Sequence, residues 1–151
     1  MKIFIGADHR GFELKAKIIK ALRLKGHEVV DVGVPNKNKP CDYPKISFQV
    51  AKSVLHQKGS RGILVCLTGI GHSIAANRIC GIRAALCYNK KAAVLSRAHN
   101  DANILVLGAK FVPLKQMFEI IDVWLKTPFD GGRHLRRIKQ IDQLCSKVTK
   151  R

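Results

Sequence analysis

Five short apolar runs recur along the chain, and most are followed by a stretch in which apolar residues return every three or four positions. Runs at 2–6, 28–32, a segment ending at Cys66, 82–87 and 104–107 have the length and aliphatic content of buried strands. Between them, Leu14, Ile18, Ile19 and Leu22 mark one face of a helix over 11–25, and Ile46, Val50, Val54 and Leu55 mark one over 44–57. A short helix follows Gly71, a further one is predicted over 90–98, and Met117, Ile120, Ile121 and Trp124 line another from Pro113 to about Lys126. A basic amphipathic helix over 133–147 closes the series after the break at 127–132. Strands alternating with helices predict an α/β fold with five strands in one open parallel sheet.

In such a sheet, ligands bind outside the carboxyl ends of the strands, where chain order reverses. Asp8 and His9 follow the first strand, Cys66 and Thr68 end the third, Tyr43 lies beyond the second, and the Arg97–Asp101 segment precedes the fifth. Asp8 suits either an acid–base group or the cap of the first helix. Cys66 leads into a turn with Gly69 and Gly71 that can aim backbone N–H groups at an anion. The positive end of the following helix is expected to lower the Cys66 pKa, making the sulfur a base or nucleophile. His99 is a proton-transfer candidate or an ordinary helix-end residue. Arg133 and Arg137 share a helix face four residues apart, either as a phosphate fork or as part of a solvated basic surface.

The chain has 151 residues and 46% apolar content, consistent with one domain over 1–151 in which 145–151 forms a basic tail, a candidate for disorder. No apolar run reaches membrane-spanning length, and the start lacks a signal-peptide core, so a soluble cytoplasmic protein with no membrane partner is expected. The five cysteines are odd in number, irregularly spaced and without a C-x-x-C pair, which predicts reduced thiols rather than a disulfide framework or zinc site. His27, His56, Cys80, Cys87 and Cys145 show no partner pattern. The net charge of +18 raises a nucleic-acid partner, but the lysines are spread over the surface without interleaved aromatics, which argues against specific recognition. Neither a dinucleotide fingerprint nor a Walker loop is present, so no nucleotide cofactor is expected.

Six motifs in order, Asp8-His9-x-Gly11, Asp42-Tyr43-Pro44, the stretch Cys66 to Asn77, Gly81-Ile82-Arg83-Ala84, His99-Asn100-Asp101-x-Asn103 and Gly131-Gly132-Arg133-His134, resemble the ribose-5-phosphate isomerase B family. Its relatives include galactose-6-phosphate and allose-6-phosphate isomerases. The resemblance covers nearly the whole chain short of 145–151. It implies a Rossmann-like three-layer αβα sandwich with a C-terminal helix, and a homodimer or dimer of dimers with sites at the subunit interface. It also implies metal-free and cofactor-free interconversion of D-ribose 5-phosphate and D-ribulose 5-phosphate.

By the same resemblance Cys66 is the base, His99 opens the sugar ring, and Asp8 and Thr68 lie near the reacting hydroxyls. Asn100 steadies the enediolate, and His9, Arg133 and Arg137 bind the phosphate. Tyr43, Leu67, Gly69, Ile70 and Gly71 line the pocket, the turn amides serving as donors to the developing oxyanion. Another branch of the family has a glutamate base in the following helix; Ala75 and Ala76 occupy that region here, so the chain resembles the cysteine branch. Three positions depart from the family pattern: Leu67 in place of a glycine, Arg10 after His9, and His72 in place of an aliphatic residue, the last expected at the surface. The alternatives are a 6-phosphohexose isomerase and a basic phosphosugar- or nucleic-acid-binding module.

Overall fold

The protein was described by a computed structural model covering residues 1–34, 36, 38 and 41–148. Parts of the polar loop expected over 33–42 and the last three residues of the basic tail lie outside the described residues. The order is β1 (Lys2–Ala7), a 3-10 turn (His9–Gly11), α1 (Phe12–Leu24), β2 (Glu28–Asp31), α2 (Tyr43–His56), β3 (Arg61–Cys66) and α3 (Ile70–Ala76). β4 (Ala84–Leu86), α4 (Lys90–Ala98), β5 (Ile104–Gly108), α5 (Leu114–Lys126) and α6 (Gly132–Val148) complete it.

The continuous apolar runs are explained by strands covered on both faces. Ile3, Ile5, Ile63, Val65, Leu105 and Leu107 point into a core with Ile18 and Leu22 of α1 and Met117, Ile120 and Trp124 of α5. The alternate residues Phe4, Leu64, Ile104 and Val106 meet Ile46, Val50 and Val54 of α2 and Ala76 of α3 on the other face. Successive residues of a strand face opposite sides, so each strand feeds both cores. The result is the three-layer Rossmann-like arrangement, its five parallel strands ordered β2-β1-β3-β5-β4. The chain leaves β1 toward β2 and returns to the other side as β3, which opens a crevice between the carboxyl ends of β1 and β3.

Four features differ from the expectation. β4 begins at Ala84, not 82, because side-chain amides occupy its approach: Asn103 Oδ1 accepts from Arg83 N at 2.8 Å and Asn77 Oδ1 from Ala84 N at 2.8 Å. Lys15, only 1% exposed, is buried on α1, its ammonium held by Asp31 Oδ1 at 2.8 Å and the Val34 carbonyl at 3.1 Å. The expectation of reduced thiols throughout is corrected, since Cys80 and Cys145 form a disulfide, while Cys41, Cys66 and Cys87 are free. α6 continues to Val148, so 145–148 is helix rather than tail, and the disulfide staples it to the turn after α3. Among the described residues of α6, Ile138 alone is buried, leaving Leu135, Ile141 and Leu144 exposed.

Candidate active site

The turn after β1 and the turn after β3 meet at the crevice. Asp8 closes the first: its Oδ1 accepts from the Arg10 and Gly11 amides at 3.0 and 3.1 Å, capping the 3-10 turn. Its second oxygen, Oδ2, accepts the thiol proton of Cys66 at 3.3 Å. The two readings of Asp8 are therefore both true of one carboxylate, one oxygen holding the backbone and the other facing the sulfur. His9 follows on the turn, half-buried, with Nδ1 unpartnered among the described residues, and Arg10 is exposed.

Beyond Cys66, Leu67 is half-buried, its carbonyl accepting from Lys110 N at 2.8 Å, so a side chain at this position fits without disturbing the pairing of the turn. Thr68 Oγ1 accepts from Ile70 N at 3.3 Å, and the Tyr88 hydroxyl donates to the Thr68 carbonyl at 3.1 Å. Gly69 takes φ 82°, a left-handed conformation that glycine adopts without steric cost. At Gly71 the constraint is space: a Cβ would lie 2.7 Å from Cζ of Tyr43, whose ring stands over the start of α3.

Cys66 is buried, and its pKa moves opposite to the sequence expectation. Burial raises it first, then the charge of Asp8 and the hydrogen bond to it, while the Gly69 and Leu67 N–H groups pull the other way. The positive backbone is present, but desolvation and a facing carboxylate outweigh it. The resting sulfur is a thiol with its proton directed at Asp8.

His72 is also corrected, from an expected surface position to 0% exposure. Its Nδ1 lies 2.7 Å from Ser47 Oγ, its ring meets Tyr43 edge-on at 5.8 Å, and Nε2 has no partner among the described residues. Burial lowers its pKa to about 4, so the ring is neutral near pH 7. Asp8, Cys66 and His72 each place a donor atom within 4.8 Å of the others. Sequence reading missed Ser47 and Tyr88; the hydroxyl one helical turn after Tyr43 is the only local signal for the first, and none marks the second.

His99 and Asn100 are not brought to this crevice, which corrects the placement of the Arg97–Asp101 segment at the carboxyl ends, and Arg133 and Arg137 stand on α6 beside them. Gly62 pairs with Ile104 and Cys66 with Gly108, and the Gly62 amide donates to the Asn103 carbonyl at 2.9 Å. The His99–Asn103 segment thus sits at the start of β5, four strand residues or about 13 Å below Cys66. It is a fixed loop: Asp101, at φ 44°, bridges Arg97 Nη1 at 2.7 Å and Arg83 Nη2 at 3.0 Å. His99 stacks on His134 of α6 with centroids 4.2 Å apart and planes 6° from parallel. Partial desolvation and then the charges of His99, Arg133 and Arg137 lower the His134 pKa, with Asp130 opposing. His99, His134, Arg133 and Arg137 therefore form one basic cluster around the base of α6, with Arg133 and Arg137 exposed, as is Asn100 next to His99.

No helix among the described residues is long and apolar enough to cross a membrane. The sequence profile of the ribose/galactose isomerase family matches residues 3–141. Ribose-5-phosphate isomerase B of Escherichia coli K12 is 44% identical over 140 residues, spanning 93% of each chain. The solved structure of ribose-5-phosphate isomerase B from Clostridium thermocellum matches with a TM-score of 0.94 and 47% identity, over 98% of this chain and 99% of that one. That from Mycoplasma genitalium with bound ribulose-5-phosphate matches with a TM-score of 0.90 and 42% identity over 95% of each. With the crevice, its cysteine and its glycine turn all inside the matched span, the chain belongs to the ribose/galactose isomerase family.

Proposed function

We propose that this isomerase interconverts D-ribose 5-phosphate and D-ribulose 5-phosphate through an enediolate, with Cys66 carrying the proton between C2 and C1. The observation that carries the reading is the buried Cys66–Asp8 pair at the topological switch point. A thiol cannot abstract a proton until it has released its own, and Asp8 Oδ2 is the acceptor in place to take it. The thiolate left behind meets the N–H groups of Leu67 and Gly69, takes the C2 proton of the open-chain aldose, and returns it to C1. Charge that develops on the carbonyl oxygen during that transfer meets the turn amides, each such donor being worth about 3 kcal/mol of barrier.

One chain supplies only half of this site. The offset of about 13 Å along the sheet separates the His99–Asn103 segment from Cys66, and Arg133 and Arg137 go with that segment through the His99–His134 stack, so we assign His99, Asn100, Arg133 and Arg137 to a second copy of the chain, and His9 and Tyr43 to the same copy as the cysteine. Exposed Tyr43, Ile70 and Ile74 beside the crevice, and Leu135, Ile141 and Leu144 on α6, support a covered surface in the assembly. A two-fold axis then places each basic cluster over the other chain's crevice, twice per dimer. The ribulose-5-phosphate held by the Mycoplasma genitalium relative supports a pentose rather than a hexose.

Isomerisation of D-ribose 5-phosphate by purified protein in the presence of chelator, beside allose 6-phosphate and galactose 6-phosphate, tests the reading. Pentose turnover well above both hexoses is expected. Turnover of a hexose alone would move the substrate, and inactivity toward all three would remove the isomerase role.

A further inference from the structure

His72 is the side chain of the crevice that the isomerase chemistry does not use, and its surroundings are specific. Ser47 has one hydroxyl proton, and it goes to the Tyr43 carbonyl at 3.0 Å along α2. With that proton so placed, the hydroxyl accepts across the 2.7 Å contact in the tautomer that carries the ring proton on Nδ1, and in that tautomer Nε2 is a bare lone pair. That lone pair is buried without a partner on a residue with 0% exposure, an arrangement that ordinarily costs stability unless something occupies it. The neighbours of the ring are a thiol and a carboxylate, one ring nitrogen, the Cys66 sulfur and an Asp8 oxygen lying within 4.8 Å of one another.

We propose that Asp8, Cys66 and His72 form a binding site for one zinc-class divalent cation, and that its occupation blocks the isomerase. Sulfur, imidazole nitrogen and carboxylate oxygen form a donor set that zinc takes in tetrahedral geometry with the fourth position open. Zinc bonds of about 2.3 Å to sulfur and 2.0 Å to oxygen set those two ligands about 3.5 Å apart. Cys66 Sγ and Asp8 Oδ2 are already 3.3 Å apart. A ligating histidine ordinarily donates its other N–H to a fixed acceptor, which Ser47 supplies here. The balance is simple: Zn2+ displaces the Cys66 thiol proton to solvent and forms the Zn–S bond, and thiolate plus carboxylate offset the dication's charge. The sulfur is then no longer available to move a substrate proton. Only the inhibition rests on the isomerase reading; the binding does not.

The experiment uses the full chain with its disulfide intact, stripped of metal, titrated with Co2+ as a spectroscopic probe and then with Zn2+. One equivalent of Co2+ with a thiolate charge-transfer band, displaced by Zn2+, is expected, with Zn2+ also inhibiting turnover of ribose 5-phosphate and substrate protecting. His72→Leu should weaken Co2+ and Zn2+ binding by at least about 100-fold, more than loss of a ligand's hydrogen-bond partner costs, while leaving metal-free turnover within about twofold. Ser47→Ala keeps all three ligands and should weaken binding about 10- to 100-fold, which gives a second reading should the first variant misfold. Asp130→Ala, which disrupts the separate His99–Asp130–His134 group, should leave the band and the inhibition unchanged. No band in the parent chain, unchanged affinity in His72→Leu or Ser47→Ala, or lost binding in Asp130→Ala overturns the proposal. A cobalt band in a protein with no turnover would preserve the metal site and sink the isomerase reading alone.

Discussion

The two edges of the sheet carry opposite kinds of chemistry. At the carboxyl edge, Asp8, Cys66 and His72 are buried, share their protons in short contacts and hang on glycine-shaped turns. At the amino edge, Arg133, Arg137 and Asn100 are exposed, and His99 stacks against His134 with the exposed Asp130 carboxylate beside them. Bond-making groups need fixed geometry and a low dielectric, which the chain builds for itself. Groups that hold a phosphate need reach and charge, and these stand on a helix anchored by one buried residue and one disulfide. In the function proposed above the reaction needs both, and a second copy of the chain is what brings the two edges together.

The sharpest break of this comparison is Cys66→Ala, for which kcat should fall about 10³- to 10⁴-fold with binding of the phosphosugar retained. Turnover near the parent value would leave the carboxyl edge without its assigned base. Next in size is the staple on α6. Bridging residues 65 apart is worth about 4 kcal/mol in the loop-entropy account, so Cys145→Ser should show that loss in denaturant melts, whereas an unchanged midpoint would mean α6 is held by other contacts.

Acid should cost about 3 kcal/mol through His72. Its pKa is about 4 when folded against an ordinary 6.5, so the unfolded chain binds the extra proton first, and stability falls as pH drops from about 6.5 to 4. His72→Leu should flatten that slope, and melts at stepped pH decide it. Arg137→Ala at the amino edge should raise KM about 10- to 100-fold with kcat less affected, the worth of a charge-assisted contact. The smallest signal is the most diagnostic: Cys66→Ala and His99→Ala, each inactive, should on mixing and reassociation regain about a quarter of parental activity, because half the dimers are mixed and each mixed dimer has one intact site. No recovery after verified subunit exchange would place both residues in a single chain's site.

The layers and the crevice were legible because they follow from local pattern. Lys2 to Gly6 and Ile63 to Cys66 read as buried strands, and a reversal in strand order points to their carboxyl ends. The placement of His99 was legible too, since a segment entering a parallel strand must lie at its amino end, yet adjacency to catalytic-looking residues drew it to the wrong edge. The Cys80–Cys145 bond was not legible, as nothing within 65 residues of sequence encodes their contact. The direction of the Cys66 shift and the burial of His72 depend on which element packs opposite, α2 with Ser47 in one case and the Asp8 turn in the other. Lys15 was hidden for the same reason: a lysine on an apolar helix face is paired only by the later strand bearing Asp31.

The sole tryptophan offers an optical handle. Trp124 is 0% exposed in the core between α5 and the sheet, with the guanidinium groups of Arg61 and Arg97 5.2 and 5.9 Å from its ring. Arg61 opens β3 at the amino end, so the indole sits away from the Asp8–Cys66 crevice and beneath a cationic lid. Its emission should shift to the red when the chain unfolds and stay constant when a phosphosugar enters the crevice, which lets fluorescence follow folding in the same cuvette in which absorbance follows turnover.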